Sequence, residues 1–392
     1  VAPEALKAGW ETEVDRNGGV SAIGEPVTEN AGAGAFAVRI PVTLDSGQLT
    51  VIVGVSADGW LTGLHLAPAS ASAPAAPWEP PAYADPTAFV EQAVTVGSGP
   101  LAVPGSLCVP PGSDRRAAVV MLAGSGPSDR DGTVGRMKPL KDIAWGLATL
   151  GVVVLRFDKV TYAHRDIAAA MDAFTLADEY VTDAAAAIGL LRQHASVDPG
   201  RVFVLGHSLG GTVAPRVAAQ EPSVAGLVIF AGGAQPLHWS AVRQMRYLAS
   251  LNPATQDAAR ATIDALAEQA TIVDSPGLSE ATPAVRLPFG VPAPYWLDLR
   301  AYDPVATAAT VGKPMLILQG GRDYQATVDD DLALWRAGLG DRANVTIRVY
   351  DDDNHLFAVG SGKSTPADYE TPHHVDPAVV TDIASWLAHT TP

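Results

Sequence analysis

The chain has 392 residues, 47% of them apolar and 17% charged, which is ample material for a large core and lacks the compositional signature of disorder. Its 42 Asp and Glu outnumber 26 Lys and Arg, and a net charge of −16 repels phosphate backbones and anionic membrane surfaces, so nucleic acid is not an expected partner. The one cysteine, Cys108, excludes an intrachain disulfide, and no apolar run approaches the roughly 20 residues needed to cross a bilayer.

The opening VAPEALKAGW carries neither an initiating Met nor an apolar leader, so a processed start is expected, with cytoplasmic and secreted locations both open. From Phe36 the sequence FAVRIPVTLDSGQLTVIVGVSADGWLTGLHLAP reads as three short β-rich runs broken by Asp-Ser-Gly and Ala-Asp-Gly turns, an antiparallel meander. This defines a small β-rich accessory domain over residues 1–70, with no nucleophile, metal cluster or basic patch, and a role in packing, substrate access or oligomerisation is expected for it. An Ala/Ser/Pro-rich stretch over 71–86 reads as a linker. The remaining residues, 87–392, form the expected second domain.

In that domain EQAVTVGSGPLAVPGSLCVPP reads as strand, turn, strand. The runs AAVVMLAG, GVVVLRFD, RVFVLG, GLVIFAGG, PMLILQGG and VTIRVYDD then follow as strands, several of them apolar on both faces. Between them KPLKDIAWGLATL and TLADEYVTDAAAAIGLLRQH have helical periodicity, the second opened by Thr175 and Asp178 at capping-box spacing. Strands alternating with helices predict an α/β fold with a mostly parallel, doubly wound sheet, whose ligands sit at the carboxyl ends of the strands. The segment 237–302 interrupts the alternation with a charged helical stretch and RLPFGVPAPYWLDLRAYDP, and is expected to be a cap over those strand ends.

The strand RVFVLG runs into Gly206-His207-Ser208-Leu209-Gly210 and then a helical pattern. This matches G-x-S-x-G, a strained strand-to-helix turn that exposes a serine hydroxyl, with glycines where a Cβ would clash. A helix N-cap is the bland alternative for Ser208. A serine nucleophile needs an imidazole base and an orienting carboxylate, expected downstream at strand ends in the order Ser, Asp or Glu, His. The glycine corner Gly320-Gly321-Arg322-Asp323 brings Asp323 to the end of one strand, with Asp303 in reserve. His355 follows the last strand directly and is favoured, with His374 second. Backbone N–H groups of Leu209 and Ser125, or Gly126 in place of Ser125, are the expected oxyanion donors. The glycines of that loop do not fit a nucleotide-binding pattern. Phe289, Tyr295 and Trp296, set among the prolines of the cap, are candidates for an apolar pocket wall. This reading calls for no metal and no organic cofactor.

The motifs GSGPSDRDGT, VLRFDKVTYAH, GHSLGG, LILQGGRDYQ and DNHLF, in that order, resemble a bacterial group of serine α/β-hydrolases comprising esterases and dipeptidyl-peptidase-like hydrolases. The likeness runs from about Phe89 to the C terminus. It implies an α/β-hydrolase fold, a triad at Ser208, Asp323 and His355, and an oxyanion loop at Gly124 to Gly126. The N-terminal part resembles a small uncharacterised domain found ahead of such hydrolases, with its helical start shortened. Where the group commonly carries arginine after the Asp-Lys pair, this chain has Val160. Asp129, Arg130 and Asp131 read as an ion-paired structural loop. The resulting expectation is hydrolysis of an uncharged, moderately hydrophobic small-molecule ester through an acyl-enzyme; acyltransferase, thioesterase and peptidase chemistry would use the same triad, and a non-catalytic ligand-binding homologue is the remote alternative.

Overall fold

The computed structural model describes residue 10 and residues 17–32, 35–55, 59, 61–68, 78–165, 171, 173–251 and 253–390. The chain divides into two compact units, Val1–Trp78 and Glu79–Pro392.

The first unit is an antiparallel sheet of β1 (Val20–Ile23), β2 (Val27–Gly32), β3 (Ala35–Leu44), β4 (Gly47–Val55) and β5 (Leu61–Pro68). The last three form the expected meander, and β1 and β2 both pair with β3. Asp45 and Ser46 make the turn between β3 and β4, whereas most of the Ala-Asp-Gly turn lies outside the described residues. Period-two alternation buries Val42, Leu44 and Leu49 on one face, with Trp10, Ile40, Val51 and Leu66 packed on them.

The 71–86 linker is corrected in its second half. Residues 71–77 lie outside the described residues, but 79–86 belong to the second unit. Pro81 and Ala84 are buried there, the Tyr83 ring packs against Gly146, and Asp85 N–H donates to Thr149 Oγ1 at 2.9 Å. Proline and alanine content suggested an extended spacer; burying the apolar groups of Pro81, Tyr83 and Ala84 outweighs the entropy of leaving the segment free.

The second unit is built on an eight-stranded sheet of β6 (Val90–Val96), β7 (Val103–Val109), β8 (Arg116–Leu122), β9 (Val153–Phe157), β10 (Val197–His207), β11 (Leu227–Phe230), β12 (Met315–Gly320) and β13 (Val345–Tyr350). Their spatial order is β13-β12-β11-β10-β8-β9-β7-β6. Pairs from β9 through β13 are parallel, and β7 runs antiparallel to β9 and β6. Alternate residues of the central strands feed two cores. Val202 and Val204 of β10 join Val120, Leu122 and Ile229 on one face, while Phe203 and Leu205 join Val119, Met121 and Phe230 on the other.

The helices of this unit are α1 (Pro139–Thr149), α2 (Leu176–Gln193), α3 (Leu209–Gln220), α4 (Leu237–Leu251), α5 (Pro253–Asp274), α6 (Ala293–Arg300), α7 (Pro304–Val311), α8 (Ala333–Leu339) and α9 (Pro377–His389), with a single turn at Val160–Ala163. The Thr175–Asp178 capping box at the start of α2 is formed in both directions. The interrupting segment comprises α4, α5 and α6. Val242 and Ala249 of α4 pack on Ile263, Leu266 and Ala270 of α5. Among the described residues, no helix is long and apolar enough to cross a membrane.

Candidate active site

Ser208 stands between β10 and α3 with φ 52° and ψ −121°, a backbone state that an L-residue adopts only when its surroundings force it. Ser208 N–H donates to Phe230 O at 2.9 Å, and Thr212 N–H donates to Ser208 O at 3.0 Å. The flanking glycines permit the turn. A Cβ on Gly206 would lie 2.1 Å from Gly210 O, and one on Gly210 would lie 2.6 Å from the carbonyl oxygens of Ala123 and Leu122. The N-cap alternative fails, because the Ser208 side chain makes no capping hydrogen bond.

Asp323 and His355 meet at the ends of β12 and β13, where His355 Nδ1 and Asp323 Oδ2 are 2.7 Å apart. A Cβ on Gly320 would sit 2.5 Å from Asn354 O and one on Gly321 2.6 Å from Asp351 O, so the glycine corner is what lets the two loops touch. Asp323 Oδ1 accepts from Gln325 N–H at 2.7 Å and Ala326 N–H at 3.0 Å, and Gln319 Nε2 donates to Oδ2 at 3.0 Å. These bonds to the carboxylate fix the Nδ1–H tautomer of His355 and leave its Nε2 free to face a nucleophile. The histidine loop is in turn tied to the serine corner. His207 Nε2–H donates to His355 O at 3.1 Å; burial and the neighbouring His355 hold the His207 imidazole down at about 3, so it is neutral.

The reserve residues have other partners. Asp303 caps α7, accepting from Ala306 N–H at 2.9 Å, and His374 pairs with Asp142 at 3.1 Å. Buried Cys108 is an unreactive thiol, pushed up to about 12 by burial and the nearby Glu91.

Ser125 and Leu209 line one cavity with Ser208. The loop after β8 approaches closely because residue 124 is glycine, where a Cβ would lie 3.2 Å from that of Ser208. Leu209 opens α3, so its free N–H sits at the positive end of the helix.

Two cavities share Ser125, Leu209, Leu237 and Gln244. One, about 560 Å³, contains Ser208 and is rimmed by polar side chains including Gln235, His238 and Gln325. The other, about 580 Å³, is walled by Phe174, Val291, Phe289, Tyr295 and Trp296. All three cap aromatics thus border one apolar cavity, but differently: Phe289 is 67% exposed at its mouth, whereas Tyr295 and Trp296 are buried. Tyr295 also donates its hydroxyl to Glu179 Oε2 at 2.7 Å.

Asp129, Arg130 and Asp131 are ion-paired or locally bonded. Arg130 binds Asp158 through Nε and Nη2 at 2.9 and 2.8 Å, Asp131 pairs with Lys138 and Arg156, and Asp129 accepts from Thr133. Sequence reasoning missed Lys159 and Glu179. Lys159 is buried beneath the loop and donates to Gly124 O and Gly126 O at 2.9 Å each. Burial lowers its pKa, countered by Glu179 at 3.0 Å. The signal was an Asp-Lys pair immediately after a buried strand; its target, 35 positions upstream, is set by tertiary structure.

A family model described as serine aminopeptidase, S33, matches residues 130–357. Esterase EstD of Thermotoga maritima is 39% identical over 287 residues, covering 73% of this chain and 65% of that protein, so the chain spans just under two thirds of its length. Among solved structures, a putative dipeptidyl aminopeptidase IV from Bacteroides ovatus superposes with a TM-score of 0.50 at 12% identity, over 94% of this chain and 43% of that one, a likeness of fold. Est1E from Butyrivibrio proteoclasticus gives 0.49 at 15% identity, over 76% of this chain and 98% of that one. With more than half its length matched by the family model and a parallel sheet carrying the serine corner, this chain is an α/β hydrolase of the serine aminopeptidase S33 family.

Proposed function

We propose that the chain is a serine carboxylic ester hydrolase working through an acyl-enzyme. The observation that carries this reading is the strained Ser208 corner beside the hydrogen-bonded Asp323–His355 pair, and its likeness to esterase EstD supports the choice of ester. Ser208 Oγ attacks the ester carbonyl while His355 Nε2 takes its proton; the C=O electron pair moves onto oxygen, held by Leu209 and Ser125 N–H. Collapse expels the alkoxide, which receives the proton from His355 and leaves an acyl-Ser208. Water, deprotonated by His355, repeats the sequence and releases the acid. Asp323 keeps the imidazole oriented and stabilises its cation. Ser208 Oγ makes no hydrogen bond among the described residues, and the contact with His355 forms as substrate binds.

The substrate class is an uncharged, moderately hydrophobic ester, favoured by the apolar cavity under Tyr295 and Trp296 and by the acidic net charge. Turnover of a p-nitrophenyl ester by Ser208→Ala should fall to background with the thermal melt unchanged; full activity in that variant would sink the reading. A peptidase reading draws on the family to which the chain belongs. Rates on matched ester and amide substrates separate the two, and a higher kcat/KM on the amide would reverse the preference.

A further inference from the structure

Resting on that reading, we propose that Lys159 is the positioning residue of the oxyanion site, fixing the direction of the Ser125 N–H by gripping the other end of the same peptide unit. In a trans peptide the carbonyl of one residue and the N–H of the next point in opposite directions within one plane. The Gly124 carbonyl therefore decides where the Ser125 N–H aims. That carbonyl accepts two hydrogen bonds, from Lys159 Nζ at 2.9 Å and from Tyr180 OH at 2.7 Å. Lys159 also holds Gly126 O at 2.9 Å, and so clamps the loop on both sides of Ser125.

A clamp is needed because Gly124 and Gly126 give this loop backbone freedom that larger residues would not, and Gly126 has φ 76°. Without it the 124–125 peptide could rotate and turn its carbonyl, an electron-rich group, toward the place where the oxyanion develops. The grip is also charge-assisted: an ammonium on the carbonyl polarises the amide and makes its N–H a better donor.

The lysine is itself held. Its Nζ lies 2.8 Å from Tyr180 OH and 3.0 Å from Glu179 Oε1, and the ammonium sits 4.3 Å from the Tyr180 ring centroid. Glu179 is positioned by Thr161 Oγ1 at 2.9 Å and by Tyr295 OH at 2.7 Å. Tyr295 belongs to α6 of the cap segment, so the wall of the apolar cavity and the oxyanion peptide share one polar network.

The test compares Lys159→Met, Tyr180→Phe and Tyr295→Phe with the parent on a short p-nitrophenyl ester, alongside inhibition by a trifluoromethyl ketone, whose adduct with Ser208 carries the oxyanion. Lys159→Met should lower kcat by roughly tenfold to a hundredfold with KM within about threefold, and weaken the ketone by the same factor, because the interaction is made in the transition state. Tyr180→Phe, which removes one donor from the same carbonyl, should show the same signature at roughly threefold to tenfold, and Tyr295→Phe a smaller one. Should Lys159→Met not fold, Tyr180→Phe decides. Unchanged kcat and ketone affinity, or a loss confined to KM, overturns the proposal. Ser208→Ala distinguishes this from failure of the esterase reading, since activity surviving there removes the reaction itself.

Discussion

The serine corner and the cap border the same cavities but are held together by different physics. At that corner, and at the neighbouring one before Asp323, the constraint is backbone sterics: Gly206, Gly210 and Gly320 sit where a Cβ would come within 2.6 Å of a carbonyl oxygen. In the cap the glycine with positive φ, Gly290, has nothing within 4 Å of its absent Cβ, and side-chain packing, aliphatic between the two long helices and aromatic at Tyr295 and Trp296, carries the structure. A site made of forbidden contacts tolerates almost no substitution, whereas one made of packed side chains tunes gradually. On the proposed reading, catalytic geometry belongs to the first region and substrate preference to the second.

The largest expected effects fall at the corner. Gly206→Ala should destabilise the protein by upward of about 4 kcal/mol or prevent folding, read by thermal melt, since neither carbonyl nor helix start can retreat. Asp323→Asn should leave the melt nearly unchanged and cut kcat roughly 10⁴-fold, because the amide offers a donor where His355 Nδ1–H needs an acceptor. A loss under tenfold would break the assignment of that acid.

In the cap, Trp296→Ala and Tyr295→Ala should change the kcat/KM ranking across acyl chain lengths by roughly tenfold while activity on the smallest ester persists. Equal rankings in these variants and in Phe289→Ala would mean that the cap does not select substrate.

How far the sequence reveals each region follows the same division. The serine corner, the Gly320-Gly321 corner and the strand after which His355 falls are local patterns, readable because their steric demands lie within a few residues of one another. The six core strands and the α2 capping box were legible for the same reason. Lys159, Glu179 and Tyr295 form one network from residues up to 136 positions apart by number, and nothing local in the chain links them. The packing of Tyr83 on Gly146 was hidden similarly, beneath a composition typical of linkers.

A stability effect short of that at Gly206 comes from Asp353, two residues before His355. Burial, then the like charges of Asp376 and Asp352, push its carboxyl up to about 7. The folded state therefore binds a proton that the unfolded state has already released above pH 4, so stability should fall as pH rises from about 4 through 7. Asp353→Asn should flatten that slope, gaining about 3 kcal/mol relative to the parent at pH 8, as followed by melts from pH 5 to 8. An unaltered slope would remove Asp353 from the account. Smallest of all is Gly290→Ala, expected to cost about 1 kcal/mol through its positive φ alone. A cost matching that of Gly206→Ala would erase the contrast between the two regions.

The most direct measurement is covalent labelling with a fluorophosphonate, followed by mass spectrometry of the peptide that carries the adduct. Stoichiometric modification at Ser208 is expected, abolished in Ser208→Ala and slowed at least a hundredfold in His355→Ala. Absence of labelling, or an adduct on another residue, would contradict Ser208 as the nucleophile.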